Sequence, residues 1–134
     1  MSEVQHPGQR IVAGVDGSES SQEALRWAAR QADLTGGALK AVMAWDRPKI
    51  DLARQELAVT VEKAVGAEQA ARISTVVEYG TPAGVLLQAA EEASLLVVGS
   101  RGQGGFNRML LGSVGHQCTL YAHCPVVVVR GSKH

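Results

Sequence analysis

The stretch Gly99-Ser-Arg-Gly102-Gln-Gly-Gly-Phe-Asn-Arg-Met-Leu-Leu-Gly112-Ser113 decides how this chain is read. An aliphatic run, Leu95 to Val98, comes before it, and a helix-compatible stretch, Ser113 to Ala122, comes after it. Buried strand, glycine-rich loop and helix start, in that order, build an anion cradle. Glycines let backbone N–H groups approach phosphate oxygens closely. The first helical turn adds N–H groups that lack intrahelical acceptors, together with the positive end of the helix dipole. The Ser113 hydroxyl can cap that helix, or bond a phosphate or a metal ion. On spacing alone the loop serves equally well as a tight turn. The flanking strand and helix favour the phosphate reading.

The rest of the chain alternates strand and helix signals. Arg10 to Val15 is a short apolar run that ends in Gly14-Val-Asp16-Gly-Ser18. Ser18 or Ser20 can cap the next helix, and Ser20 with Glu23 matches a capping box. Ala24, Leu25, Ala28 and Ala32 recur at helical spacing until Gly36-Gly37 stops them. Ala38 to Trp45 reads as the second strand. Leu52 to Val65 reads as a helix, with Gly66 ending or interrupting it, and Ile73 to Tyr79 as the third strand. Thr81-Pro82 supplies a cap and a first-turn proline for a helix buried through Val85, Leu86, Ala89 and Ala90. Leu95 to Gly99 is the fourth strand and Pro125 to Val129 the fifth. Five strands separated by four helical segments imply a doubly wound parallel sheet, valine-rich because both faces are buried.

In such sheets ligands bind beyond the carboxyl ends of the strands, where the winding reverses. The first and fourth strands each end in a loop suited to that work. If the two strands are neighbours, Asp16 lies beside Gly99. Its carboxylate can accept a ribose hydroxyl or help hold a divalent cation near phosphates, or it can serve as a helix cap. The first loop lacks Gly-x-Gly-x-x-Gly, and the second lacks the Gly-Lys-Ser/Thr of a P-loop. Charge partners for phosphate would be Arg101 or Arg108, with a metal.

The chain has 134 residues, 46% of them hydrophobic, and a net charge of zero from 13 acidic and 13 basic groups. That length fits one domain, with residues 1–9 and 131–134 expected as tails. Zero net charge gives no electrostatic footprint for nucleic acid or an anionic membrane. No uncharged apolar run is long enough to span a bilayer, and the first ten residues carry no apolar signal segment, so a cytoplasmic protein is expected. Cys118 and Cys124 read as buried free thiols. His116 and His123 lie seven residues apart and read as surface or packing residues. No catalytic set is evident.

The spacing Gly-x2-Gly-x9-Gly-Ser at Gly99, Gly102, Gly112 and Ser113 resembles the ATP-binding signature of the universal stress protein family. Ile11 to Ser18, Ala44-Trp45 and Cys124 to Val129 resemble other parts of that family's pattern, so the likeness runs from about Arg10 to Arg130. One departure is a short connection between Trp45 and Leu52, on the adenine side. The resemblance implies an adenine nucleotide alpha hydrolase-like, Rossmann-like fold: an α/β architecture with a five-stranded parallel sheet in the order 3-2-1-4-5 and four helices on both faces. It implies ATP as ligand, with magnesium, for which Asp16 and Ser113 are the candidate contacts. Gly14, Val15 and Asp16 would line the adenine and ribose end, and Ala44 would offer its backbone to the base. Val98, Gly99 and Ser100 would floor the ribose, with Arg101 beside them. Gly102, Gly112, Ser113 and Val114 would hold the phosphates through their N–H groups. Trp45 would then sit near the adenine. The resemblance also implies a homodimer through the Val126–Val129 edge strand, where pairing with a second copy covers a bare apolar edge. The function so implied is a nucleotide-dependent sensor or regulator. Its alternatives are a slow ATPase or self-phosphorylating protein, a cyclic AMP binder, or a nucleotide-free interaction module.

Overall fold

Short β-branched runs with helices between them cannot pair by hairpins, so they pair in parallel through crossovers. A computed structural model describes residues 8–101 and 112–130 and shows that arrangement. The elements are β1 (Arg10–Gly14), α1 (Glu19–Thr35), β2 (Ala38–Trp45), α2 (Ile50–Val65), the single turn α3 (Ala67–Ala70), β3 (Ser74–Tyr79), α4 (Pro82–Ala89), β4 (Leu95–Gly99), α5 (Ser113–Tyr121) and β5 (Val126–Val129). All strand pairs are parallel, in the order β3-β2-β1-β4-β5, as expected. Ala13 stands at the centre, between Ala41 of β2 and Val97 of β4. The winding reverses between β1 and β4, and the carboxyl ends of those strands frame the crevice.

Alternation along the strands feeds two cores. On one face, Ile11 and Ala13 of β1 meet Leu25 and Ala28 of α1 and Leu57 and Val61 of α2. On the other, Val12, Val42, Leu96 and Val98 meet Val85 and Leu86 of α4 and Cys118 of α5. Cys118 is fully buried and Cys124 is half-buried, and both are free thiols.

The ends of the elements follow their local chemistry. Gly36 takes a left-handed φ of 67° at the C-cap of α1, and Thr81 accepts the Gly84 N–H at 3.1 Å as the N-cap of α4, with Pro82 behind it. Gly66, at φ 91°, interrupts the helix after β2 and leaves the extra turn α3. A further single turn, Ala90–Glu92, extends α4. The expected bounds contract by one residue at Val15, Ile73, Ala122 and Pro125, and two larger expectations change. Helix α2 starts at Ile50, two residues before Leu52. The capping box at Ser20 and Glu23 does not form: Gly17, at φ 85°, turns the chain so that Ser18 becomes the extended N-cap, while Ser20 is buried inside the first turn and Glu23 pairs with Arg26 at 2.9 Å.

Candidate functional site

A cavity of about 340 Å³ opens at the carboxyl ends of β1 and β4. Its first arm is the turn between β1 and α1. Val15 continues the sheet beyond β1, donating its N–H to the Val42 carbonyl at 2.9 Å. The chain then turns at Asp16, whose Oδ1 accepts the Ser18 N–H at 3.0 Å and whose own N–H donates to Ser21 Oγ at 3.2 Å. Gly14, Val15, Asp16 and Ser21 line the cavity from this side.

The second arm runs from β4 to α5. Val98, Gly99 and Arg101 line the cavity at one end of the arm, and Gly112, Ser113, Val114 and Gly115 at the other. Gly99 is required by close approach: a Cβ there would come within 2.7 Å of the backbone carbon of Ser20 and would also strike its Oγ. The end of β4 is therefore pressed against the start of α1, which sets the two arms side by side. The first α5 ladder bond runs from the His116 N–H to the Gly112 carbonyl at 2.9 Å. The amides of Ser113, Val114 and Gly115 precede that ladder at the positive end of the helix dipole, bordering the cavity.

The remaining walls come from β2 and α4. Val42 and Ala44 of β2, with Pro82 and Leu86 of α4, give an apolar side. A Cβ on Gly14 would meet Leu86 Cδ1 at 2.6 Å, so the bare backbone of β1 makes room for that leucine.

Of the residues singled out from sequence, Gly14, Val15, Asp16, Ala44, Val98, Gly99, Arg101, Gly112, Ser113 and Val114 are gathered around this one cavity. Gly102 and Arg108 lie outside the described residues. Ser100 is placed elsewhere. It is buried, its N–H donates to the Val129 carbonyl at 2.9 Å, and its carbonyl accepts the Gly112 N–H at 2.6 Å. The second of these bonds ties together the two ends of the glycine-rich segment. It also engages the Gly112 N–H, which the resemblance implies for phosphate. Gly112, not Ser113, is the N-cap of α5, so Ser113 is the first helical residue and its hydroxyl does not cap.

Trp45 is also displaced from its expected place. It alternates with Ala44 and so faces the opposite side of the sheet. There it packs on the larger core, with Arg47 stacked 4.4 Å from its ring centroid and its Nε1–H donating to the Pro48 carbonyl at 3.2 Å. Ser21, Val42, Pro82, Leu86 and Gly115 line the cavity without having been picked out. Strand parity could have found Val42 and excluded Trp45.

Matches to known proteins agree with this arrangement. The model of the universal stress protein family matches residues 8–130. The chain belongs to the universal stress protein family. The universal stress protein Rv2623 of Mycobacterium tuberculosis (strain ATCC 25618 / H37Rv) is 40% identical over 140 residues, covering 95% of this chain and 47% of its own length. This chain thus spans about half the length of such curated relatives. A universal stress protein solved in complex with cAMP superposes with a TM-score of 0.71 at 29% identity, covering 95% of this chain and 100% of that one. A universal stress protein from Archaeoglobus fulgidus solved in complex with dAMP has a TM-score of 0.71 at 21% identity, covering 90% of this chain and 97% of that one, a likeness of fold.

Burial pushes the Cys118 thiol up to about 11, with the neighbouring Cys124 adding to the shift, and burial also raises Cys124. Both thiols are therefore poor nucleophiles near neutral pH. His116 and His123 are exposed. Among the described residues no group of three or more His, Cys, Asp or Glu side chains could hold a metal ion by itself, and no helix is long and apolar enough to cross a membrane.

Proposed function

We propose that this stress protein binds ATP, with magnesium, in the cavity between β1 and β4 and acts as a nucleotide-dependent sensor or regulator. The observation that carries the reading is the convergence of two unlike arms on one cavity: a carboxylate on a rigid turn, and the first amides of a helix. The apolar side formed by Val42, Ala44, Pro82 and Leu86 suits a base, Asp16 suits a ribose hydroxyl, and Ser113, Val114 and Gly115 suit phosphate oxygens. Magnesium favours oxygen donors and keeps several waters, so the phosphates together with Asp16 and Ser113 form a donor set of the right kind. When bound there, the ion would neutralise phosphate charge.

The proposal is binding, with at most slow hydrolysis or self-phosphorylation. The cytoplasm, with its pool of adenine nucleotides, is the location this function implies. A homodimer through β5 belongs to the same proposal. Pro125 and Val129 direct their carbonyls to β4, so Val126 and Val128 present their backbone groups at the free edge.

A second reading, cyclic AMP as the ligand, is favoured by the solved relative that carries it. The test is to identify by mass spectrometry the small molecule released from native protein, and to titrate purified protein calorimetrically with ATP and with cyclic AMP. Saturable ATP binding that is lost in Gly112→Val supports the proposal. Tighter cyclic AMP binding supports the second reading. No copurified nucleotide and no thermal shift with ATP and magnesium would leave a nucleotide-free interaction module.

A further inference from the structure

The first turn of α1 holds two adjacent buried serines, Ser20 and Ser21, 7% and 4% exposed. A buried hydroxyl is kept where it makes hydrogen bonds that the fold needs. Each of these reaches a different arm of the cavity. Ser21 Oγ accepts the Asp16 N–H at 3.2 Å and donates to the Ser18 carbonyl at 3.0 Å, while the Ser21 N–H donates to Ser18 Oγ at 3.1 Å. These bonds fix the turn that carries the Asp16 carboxylate. Ser20 Oγ accepts the Arg101 N–H at 3.3 Å, at the place where the chain leaves β4 for the glycine-rich segment, and the absent side chain of Gly99 leaves the gap in which Ser20 sits.

We propose that Ser20 and Ser21 are positioning residues for the nucleotide site: Ser21 aims Asp16 at the sugar, and Ser20 holds the start of the phosphate-binding arm against α1. This rests on the reading of the cavity as a nucleotide site. Neither serine acts on the ligand chemically. Each acts through the neighbour it restrains, because a carboxylate or amide that must be reordered on binding loses part of its interaction to that ordering.

The two roles predict different signatures. Calorimetric titrations with ATP, 2′,3′-dideoxy-ATP and adenosine are made on wild type, Ser20→Ala and Ser21→Ala. Wild type is expected to prefer ATP to the dideoxy compound by about tenfold, a hydrogen bond to a charged acceptor. Ser21→Ala is expected to bring that ratio close to one while keeping the preference for ATP over adenosine. Ser20→Ala is expected to do the reverse. Ser21→Ala and Asp16→Asn are expected to be non-additive for the sugar preference. A merely structural role would lower the unfolding temperature of both variants and leave both ratios at wild-type values, and that result overturns the inference. A wild type that binds no adenine nucleotide overturns the reading of the cavity itself, and the inference with it.

Discussion

The two faces of the sheet are filled in opposite ways near the carboxyl ends of the strands. On the α1–α2 face the strand ends are filled: Val15 and Met43 are buried in the larger core, Trp45 packs against it, and Ser20 of α1 takes the place of the side chain that Gly99 lacks. On the α4–α5 face the side chains shrink in step, to Gly14 on β1, under Leu86 of α4, and to Ala44 on β2, and the cavity opens beside them. The chain makes its candidate site by omission on one face, while the other face supplies rigidity. Stability and binding should therefore be separable by face.

Breaking the filled face should give the largest effect. Leu57 is fully buried between α2 and the sheet, and Leu57→Ala is expected to cost about 2–5 kcal/mol in denaturant unfolding. The folded fraction should keep its nucleotide affinity. Leu86→Ala, on the cavity wall, should cost clearly less stability and change affinity more. Equal costs for the two would contradict the comparison.

The two strand-end glycines sharpen it. Gly99→Ala drives a methyl into the backbone of Ser20, which cannot give way without moving α1, so a loss of about 1–3 kcal/mol is expected by thermal or urea unfolding. Gly14→Ala meets the side chain of Leu86 and no backbone, and that side chain borders the cavity, so its stability cost should be smaller and its main effect a narrower cavity and weaker nucleotide binding.

Asp16→Asn keeps an oxygen for the Ser18 N–H, and affinity for a ribonucleotide is expected to fall about tenfold by calorimetry. The smallest effect concerns pH. Burial raises the Cys118 pKa from 9.0 to about 11, so between those values the unfolded chain has lost a proton that the folded chain retains. Stability attributable to this thiol is intact below about pH 9 and falls as pH rises toward 11. Cys118→Ala should show a shallower decline across that window in unfolding measured against pH.

Much of this was legible in the residues. Valine-rich runs separated by helical stretches force parallel pairing, and Gly36, Thr81 and Pro82 mark ends that the structure keeps. The strand-end loops placed Asp16 and Gly99 together because the winding reverses between their strands. What escaped reading depends on tertiary placement. Pro82 and Leu86 reach the cavity only because α4 crosses back over that face, which no local signal encodes. The bond from the Gly112 N–H to the Ser100 carbonyl was not legible either, since a backbone bond across twelve positions leaves no trace in composition. Ser20 resembled a cap because Ser and Glu stood three apart, but the turn at Gly17 gave that role to Ser18.

The central claim is that both arms grip one ligand, and an amide-resolved NMR titration with ATP and magnesium addresses it most directly. The account predicts that Val15, Asp16 and Gly99 shift together with Ser113, Val114 and Gly115, all following a single saturation curve, while amides of α2 stay fixed. Shifts confined to one arm, or two arms saturating at different ATP concentrations, would contradict it.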